Sequence, residues 1–135
     1  AGAFPPLVEL LTTGTTVAKG LAAAALWSLA AGNADNKVVI AKTGAIPPLV
    51  ELLTSGTAEQ KEDAAGVLGS FAVNSDNQVA IAKAGAIPPL VELLTTGTTV
   101  AKGLAAAALW SLAAGNADNK VVIAKTGAIP PLVEL

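Results

Sequence analysis

Gly44-Ala45-Ile46-Pro47-Pro48-Leu49-Val50-Glu51-Leu52 is the stretch from which the architecture can be read. It recurs at Gly2 (with Phe4 in place of the isoleucine), at Gly85 and at Gly127, at spacings of 42, 41 and 42 residues. A period of that length marks stacked supersecondary units, each too small to bury its own apolar face. The 135 residues therefore read as one domain, with units at about 2–43, 44–84 and 85–126 and a partial unit at 127–135.

Outward from this stretch, the middle unit parses into three helices. Pro47 and Pro48 suit a first turn, where the backbone N–H groups have no intrahelical partner. Leu49, Leu52 and Leu53 then share one face by their spacing, and Gly56 is expected to close the helix as a left-handed cap. Thr57 and Gln60 have capping-box spacing and open a longer helix with apolar positions at Ala64, Val67, Leu68 and Phe71. Asn74 to Asn77 reads as a turn. A short helix over 78–83 is expected to carry Val79, Ile81 and Ala82 to the core and to stop at Gly85. The outer units repeat the plan, with a long helix over about 17–31 ending at Gly32 and a short one over 37–42 ending at Gly44.

Composition narrows the function. Hydrophobic residues make up 53% of the chain and aromatics 3%, so the core must be built from Ala, Leu, Val and Ile. Charged residues are only 13%, against about 25% in an ordinary domain. Eight lysines, ten acids and no arginine give a net charge of −2, without the basic stripe that nucleic-acid binding needs. Cysteine and histidine are absent, which removes thiol chemistry and the commonest general base and metal ligand. No cofactor or metal is expected, and no enzyme. Mean hydropathy is +0.62. The longest nearly apolar run, Leu21 to Ala31, is still about half of the roughly 20 residues a membrane span requires, so no membrane role is expected. No signal peptide is read at the N-terminus.

Residues 1–52 match residues 84–135 at every position except Phe4 against Ile87. Such self-identity points to a recent duplication or a designed array. The chain opens on a medium helix and closes partway through another, with no polar capping unit at either end. Raw apolar ends of one repeat type are expected to stick to each other, which makes a homo-oligomer the expectation. A head-to-tail contact would run on as a filament or close as a ring, and a two-fold dimer would bury like against like and stop. Because 127–135 duplicates the first helix of the next copy, a swapped or two-fold arrangement stays open beside end-on stacking.

A unit of about 42 residues with Gly-Ala-Ile-Pro-Pro-Leu-Val-Glu-Leu-Leu in its second helix resembles the armadillo repeat. Asn77-Gln78-Val79-Ala80-Ile81-Ala82-Lys83-Ala84-Gly85-Ala86-Ile87-Pro88 and Ala64-Ala65-Gly66-Val67-Leu68 carry the likeness further. The resemblance implies an all-α, right-handed α-solenoid, or superhelix, of three-helix armadillo repeats and a cytoplasmic setting. It also implies that an extended peptide or protein segment is bound in a concave groove lined by the third helices. In that groove an asparagine ladder grips the peptide backbone, and tryptophans one turn earlier form pockets. Aligning Leu26, Leu68 and Leu109 puts Ser28, Ser70 and Ser111 at the ladder positions. Ala24, Gly66 and Ala107 take the tryptophan positions. Of the acidic positions one turn before, only Asp63 is acidic, while Leu21 and Leu104 fill the other two. A serine hydroxyl cannot bridge a peptide N–H and C=O as a carboxamide does, so basic peptides are expected to bind weakly.

The tentative partner-binding set is thus Leu21, Trp27, Ser28, Asp63, Ser70, Leu104, Trp110 and Ser111. Trp27 and Trp110, one residue before the ladder serines, read either as packing between units or as anchors for a partner or another copy of the chain. Glu59, Glu62 and Asp63 share one helix face and read as a solvated helix start, favoured by the dipole, rather than a cation site. Gly14 to Gly20 follows a helix rather than a strand and lacks the ending of a phosphate loop.

Overall fold

The computed structural model describes residues 4–127. Among them all regular structure is helical: α1 (Phe4–Thr13), α2 (Thr16–Ala30), α3 (Ala34–Lys42), α4 (Ile46–Ser55), α5 (Ala58–Phe71), α6 (Ser75–Lys83), α7 (Ile87–Thr96), α8 (Thr99–Ala113) and α9 (Ala117–Lys125). Medium, long and short helices follow one another three times. Each medium helix folds back on the long helix after it, and the long helices lie side by side with α5 between α2 and α8. Each of the first two short helices turns sharply into the next medium one, by 84° from α3 to α4 and 81° from α6 to α7. No single described helix is long and apolar enough to cross a membrane. The arrangement is an all-α solenoid.

The local chemistry accounts for these elements. Thr15, Thr57 and Thr98 cap the long helices, each hydroxyl accepting the backbone N–H three residues on. At Thr57 the box is closed, because Gln60 Oε1 accepts from the Thr57 N–H at 3.0 Å. Asn33, Asn74 and Asn116 cap the short helices in the same way. Those caps start the short helices at Ala34, Ser75 and Ala117, ahead of the 37 and 78 expected from the apolar pattern. Gly32 and Gly115, at φ 69°, reverse the chain after α2 and α8. Gly56 corrects the expectation of a left-handed cap. Its φ is −77°, and glycine is required because a Cβ there would stand 2.5 Å from the Leu52 carbonyl oxygen.

The core is one continuous seam of small and branched aliphatic side chains. Leu26, Leu49, Leu68, Ile81 and Leu90 are buried in it, together with Phe71. Full burial of such a side chain contributes about 1.5–3 kcal/mol. Covered on both flanks, α5 supplies the centre of the seam with Ala64, Ala65, Val67, Leu68 and Phe71. Val79, expected in the core, is exposed, whereas Asn77 and Gln78 beside it are buried. Their amides join one short helix to its neighbours. Gln78 Nε2 donates to the carbonyls of Ser111 at 2.8 Å and Ala114 at 2.9 Å, which the end of α8 leaves without helical partners. Asn119 Nδ2 donates to Leu112 O at 2.9 Å and to Gln78 O at 3.4 Å. No buried side-chain nitrogen or oxygen among the described residues lacks a partner. The expectations about the two ends of the chain concern residues 1–3 and 128–135, which lie outside the described residues.

Candidate functional site: the face of the long helices

The open face of the long-helix layer is cut by two clefts. The first, about 320 Å³, lies between α2 and α5. Val17, Leu21 and Ala24 of α2 make an apolar wall, and Glu59 and Asp63 of α5 face it. Gln60 sits between the two helices, and its Nε2 donates to the Thr16 carbonyl at 2.5 Å. The second cleft, about 290 Å³, lies between α5 and α8. Gly66, Gly69 and Ser70 line one side and Leu104, Ala107 and Ser111 the other, with Lys37 of α3 and Trp27 of α2 reaching in.

Asp63 is the electrostatic focus of the first cleft. Partial burial, then the charges of Glu62 and Glu59, push its carboxyl above the usual aspartate range. Glu62 is held from the other side, where its Oε2 accepts the Thr98 hydroxyl at 2.6 Å, tying α5 to the start of α8. No group of three or more acids, histidines or cysteines among the described residues is placed to hold a metal ion.

The expected site residues separate. Leu21 and Asp63 line the first cleft, and Trp27, Ser70, Leu104 and Ser111 the second. Ser28 and Trp110 are exposed and line neither. Trp27 is half-buried because its indole lies over Gly66, where a Cβ would stand 2.5–2.6 Å from ring carbons Cη2 and Cε2. The position aligned with the family's tryptophan is therefore occupied by an indole from the preceding long helix.

Sequence reasoning missed two features here. Lys37, on the short helix α3, reaches the second cleft. Gly66 is the slot for Trp27. The signal for the slot was a glycine in mid-helix, costly by about 1 kcal/mol relative to alanine, aligned with alanines in the sister helices.

The armadillo/beta-catenin-like repeat family matches residues 33–73 and 74–114, more than half of the chain. The chain belongs to the armadillo family. Its repeat frame in that match begins on the short helix, so that α3–α5 and α6–α8 are the two whole repeats. Among solved structures, a computationally designed armadillo repeat protein for modular peptide recognition is 34% identical, with a TM-score of 0.93 over 99% of this chain and 57% of that one. A designed armadillo repeat protein in complex with peptide (KR)4 is 31% identical, with a TM-score of 0.92 over 99% of this chain and 56% of that one. An engineered protein at 34% identity and a TM-score of 0.93 is matched over 100% of this chain and 33% of its own. The armadillo array described here thus spans little more than half the length of the first two. No curated protein matches the sequence.

Proposed function

We propose that this armadillo array is a non-enzymatic scaffold that binds an extended peptide across α2, α5 and α8. Asp63 and Glu59 receive one lysine or arginine side chain of the peptide, whose aliphatic stem lies on Leu21 and Ala24. An aliphatic side chain of the same peptide fills the cleft between Trp27 and Leu104. The observation that carries this reading is Asp63: a half-buried carboxylate opposite an apolar wall, raised first by burial and then by the neighbouring acids Glu62 and Glu59, is a place where an incoming cation gains. The complex of a designed relative with (KR)4 supports a basic side chain as the ligand. The second cleft differs, since Lys37 stands in it and serine hydroxyls take the places of amides. A peptide with one basic residue beside leucines therefore suits the face better than an alternating run of basic residues.

Titration of tryptophan fluorescence with Trp110→Phe, which leaves Trp27 as the one reporter, tests this. A peptide with a single Lys among leucines should bind the 135-residue chain more tightly than (KR)4, and Asp63→Asn should weaken it about tenfold or less, as one partly exposed charge pair allows. Saturable binding of (KR)4 tighter than that of the mixed peptide would refute the proposed division of the face. A second reading is a two-fold contact between copies of the chain, favoured by the apolar side chains open on α2. Val17 is 70% exposed there and Leu21 67%. Light scattering that gave only the 13.2 kDa monomer mass at high concentration would end that reading.

A further inference from the structure

The fifteen residues of α8 are those of α2 in the same order. In α2 one flank of this helix is seen at work. Trp27 lays its indole over α5, and α5 makes room by having Gly66 there, where any Cβ would fall inside the ring's contact distance. The other junction of α5 is built differently. Gly69 stands where α2 has Trp27, and a Cβ at Gly69 would meet Ala108 Cα and Cβ at 3.3 Å. The stack therefore alternates a tryptophan-into-glycine junction with a glycine-against-alanine junction. On α8 the flank that carries Trp110 is open.

We propose that the Trp110 flank of α8 is a selective docking surface for an armadillo repeat whose long helix has the α5 sequence, with glycine at the Gly66 place, and that it refuses a long helix of the α2 sequence. The occupant follows from continuity with the interface already present, because the same fifteen residues hold an α5 helix in the described structure. A second copy of the chain does not offer that helix, since its α5 is enclosed by α2 and α8. Its open long helix is α2, where Ala24 stands at the Gly66 place and puts a methyl group where the indole must lie. The surface thus enforces a two-repeat period, and it discriminates against head-to-tail stacking of identical copies through Trp110. This does not depend on peptide binding.

The test extends the full chain. Residues 127–135 repeat 44–52. Appending the sequence of residues 53–85 therefore completes an α5-type repeat behind α8, and appending that of residues 94–127 completes an α2-type repeat. With Trp27→Phe in both, and phenylalanine for the tryptophan of the appended α2-type helix, Trp110 is the sole reporter. The α5-type extension should shift its emission to the blue and cut acrylamide quenching several-fold. The α2-type extension should leave both as in the parent, and so should an α5-type extension with alanine at the Gly66 place. Equal protection of Trp110 by all three would overturn the proposal, as would no protection by the α5-type extension. In the 135-residue chain, Gly66→Ala should lower the urea midpoint, and it should lower it no further when combined with Trp27→Ala. An undiminished penalty without the indole would show that the slot does not select.

Discussion

α2 and α8 have one sequence and two environments. They flank α5 on opposite sides, so each buries the stripe that the other leaves open. In α2, Trp27 lies over Gly66 of α5, and Ala23 and Ala30 are buried. In α8, Ala108 stands against Gly69 of α5, and Ala101 and Leu112 are buried. Leu112 has no exposure, while its counterpart Leu29 is 37% exposed, and Trp27 is half-buried while Trp110 is open. A solenoid helix therefore carries two apolar flanks whatever its position. Neither flank stabilises anything until a neighbour covers it, which is why stability in such stacks belongs largely to interfaces.

Leu112→Ala against Leu29→Ala is the most direct way to break this comparison. The first removes a fully enclosed side chain and should cost about 3 kcal/mol, and the second under about 1 kcal/mol, in urea denaturation. Equal costs would show that the two flanks are not differently covered. Gln78→Ala comes next. It strips two donors from carbonyls at the end of α8 and should cost about 1–3 kcal/mol. Lys37, which occupies the matching place on α3, should cost far less when replaced by Ala.

Gly103→Ala sharpens the comparison in the opposite direction. A Cβ there meets nothing within 4 Å, so the change should stabilise by about 0.5–1 kcal/mol through helix propensity. At Gly20, its counterpart in α2, the new methyl would touch Gln60 Cγ at 3.5 Å, an ordinary contact, and the gain should be similar or smaller.

Asp63→Asn has the smallest expected effect. The folded-state pKa of Asp63 is raised, so the folded chain binds its proton more tightly than the unfolded chain does. Its contribution to stability is therefore largest at low pH and falls as pH rises from the unfolded value through the raised folded one. At neutral pH the substitution should stabilise by about 0.3 kcal/mol, the scale of one like-charge pair four residues apart on a helix. It should also flatten the decline of thermal midpoint with pH. A midpoint that fell more steeply in the variant would reverse this assignment.

Much of the fold was legible because the signals were local and repeated. Pro47-Pro48, the Thr57–Gln60 box and the glycines after α2 and α8 act within a few residues of themselves, and three helices per unit follow from them. The two misreadings of α6 have one origin. Val79 was placed inward and Gln78 was given no role, because apolar spacing on a nine-residue helix does not show which carbonyls of a neighbouring repeat need a donor. Register between the repeats is legible in the sequence and picks out the eight candidate residues. That six of them line two separate clefts while Ser28 and Trp110 line neither is not legible, since it depends on how far α2, α5 and α8 stand apart and on what fills the gaps.

By itself, then, the sequence determined the helices, their order and the period of the stack, since caps, breakers and apolar spacing are properties of neighbouring residues. Only the tertiary structure decided which flank of α2 and of α8 is covered, where the indole of Trp27 lies, and that Asp63 faces an apolar wall. Two identical helices cannot differ in sequence. They differ in what stands beside them, and that contact is made between residues some forty positions apart.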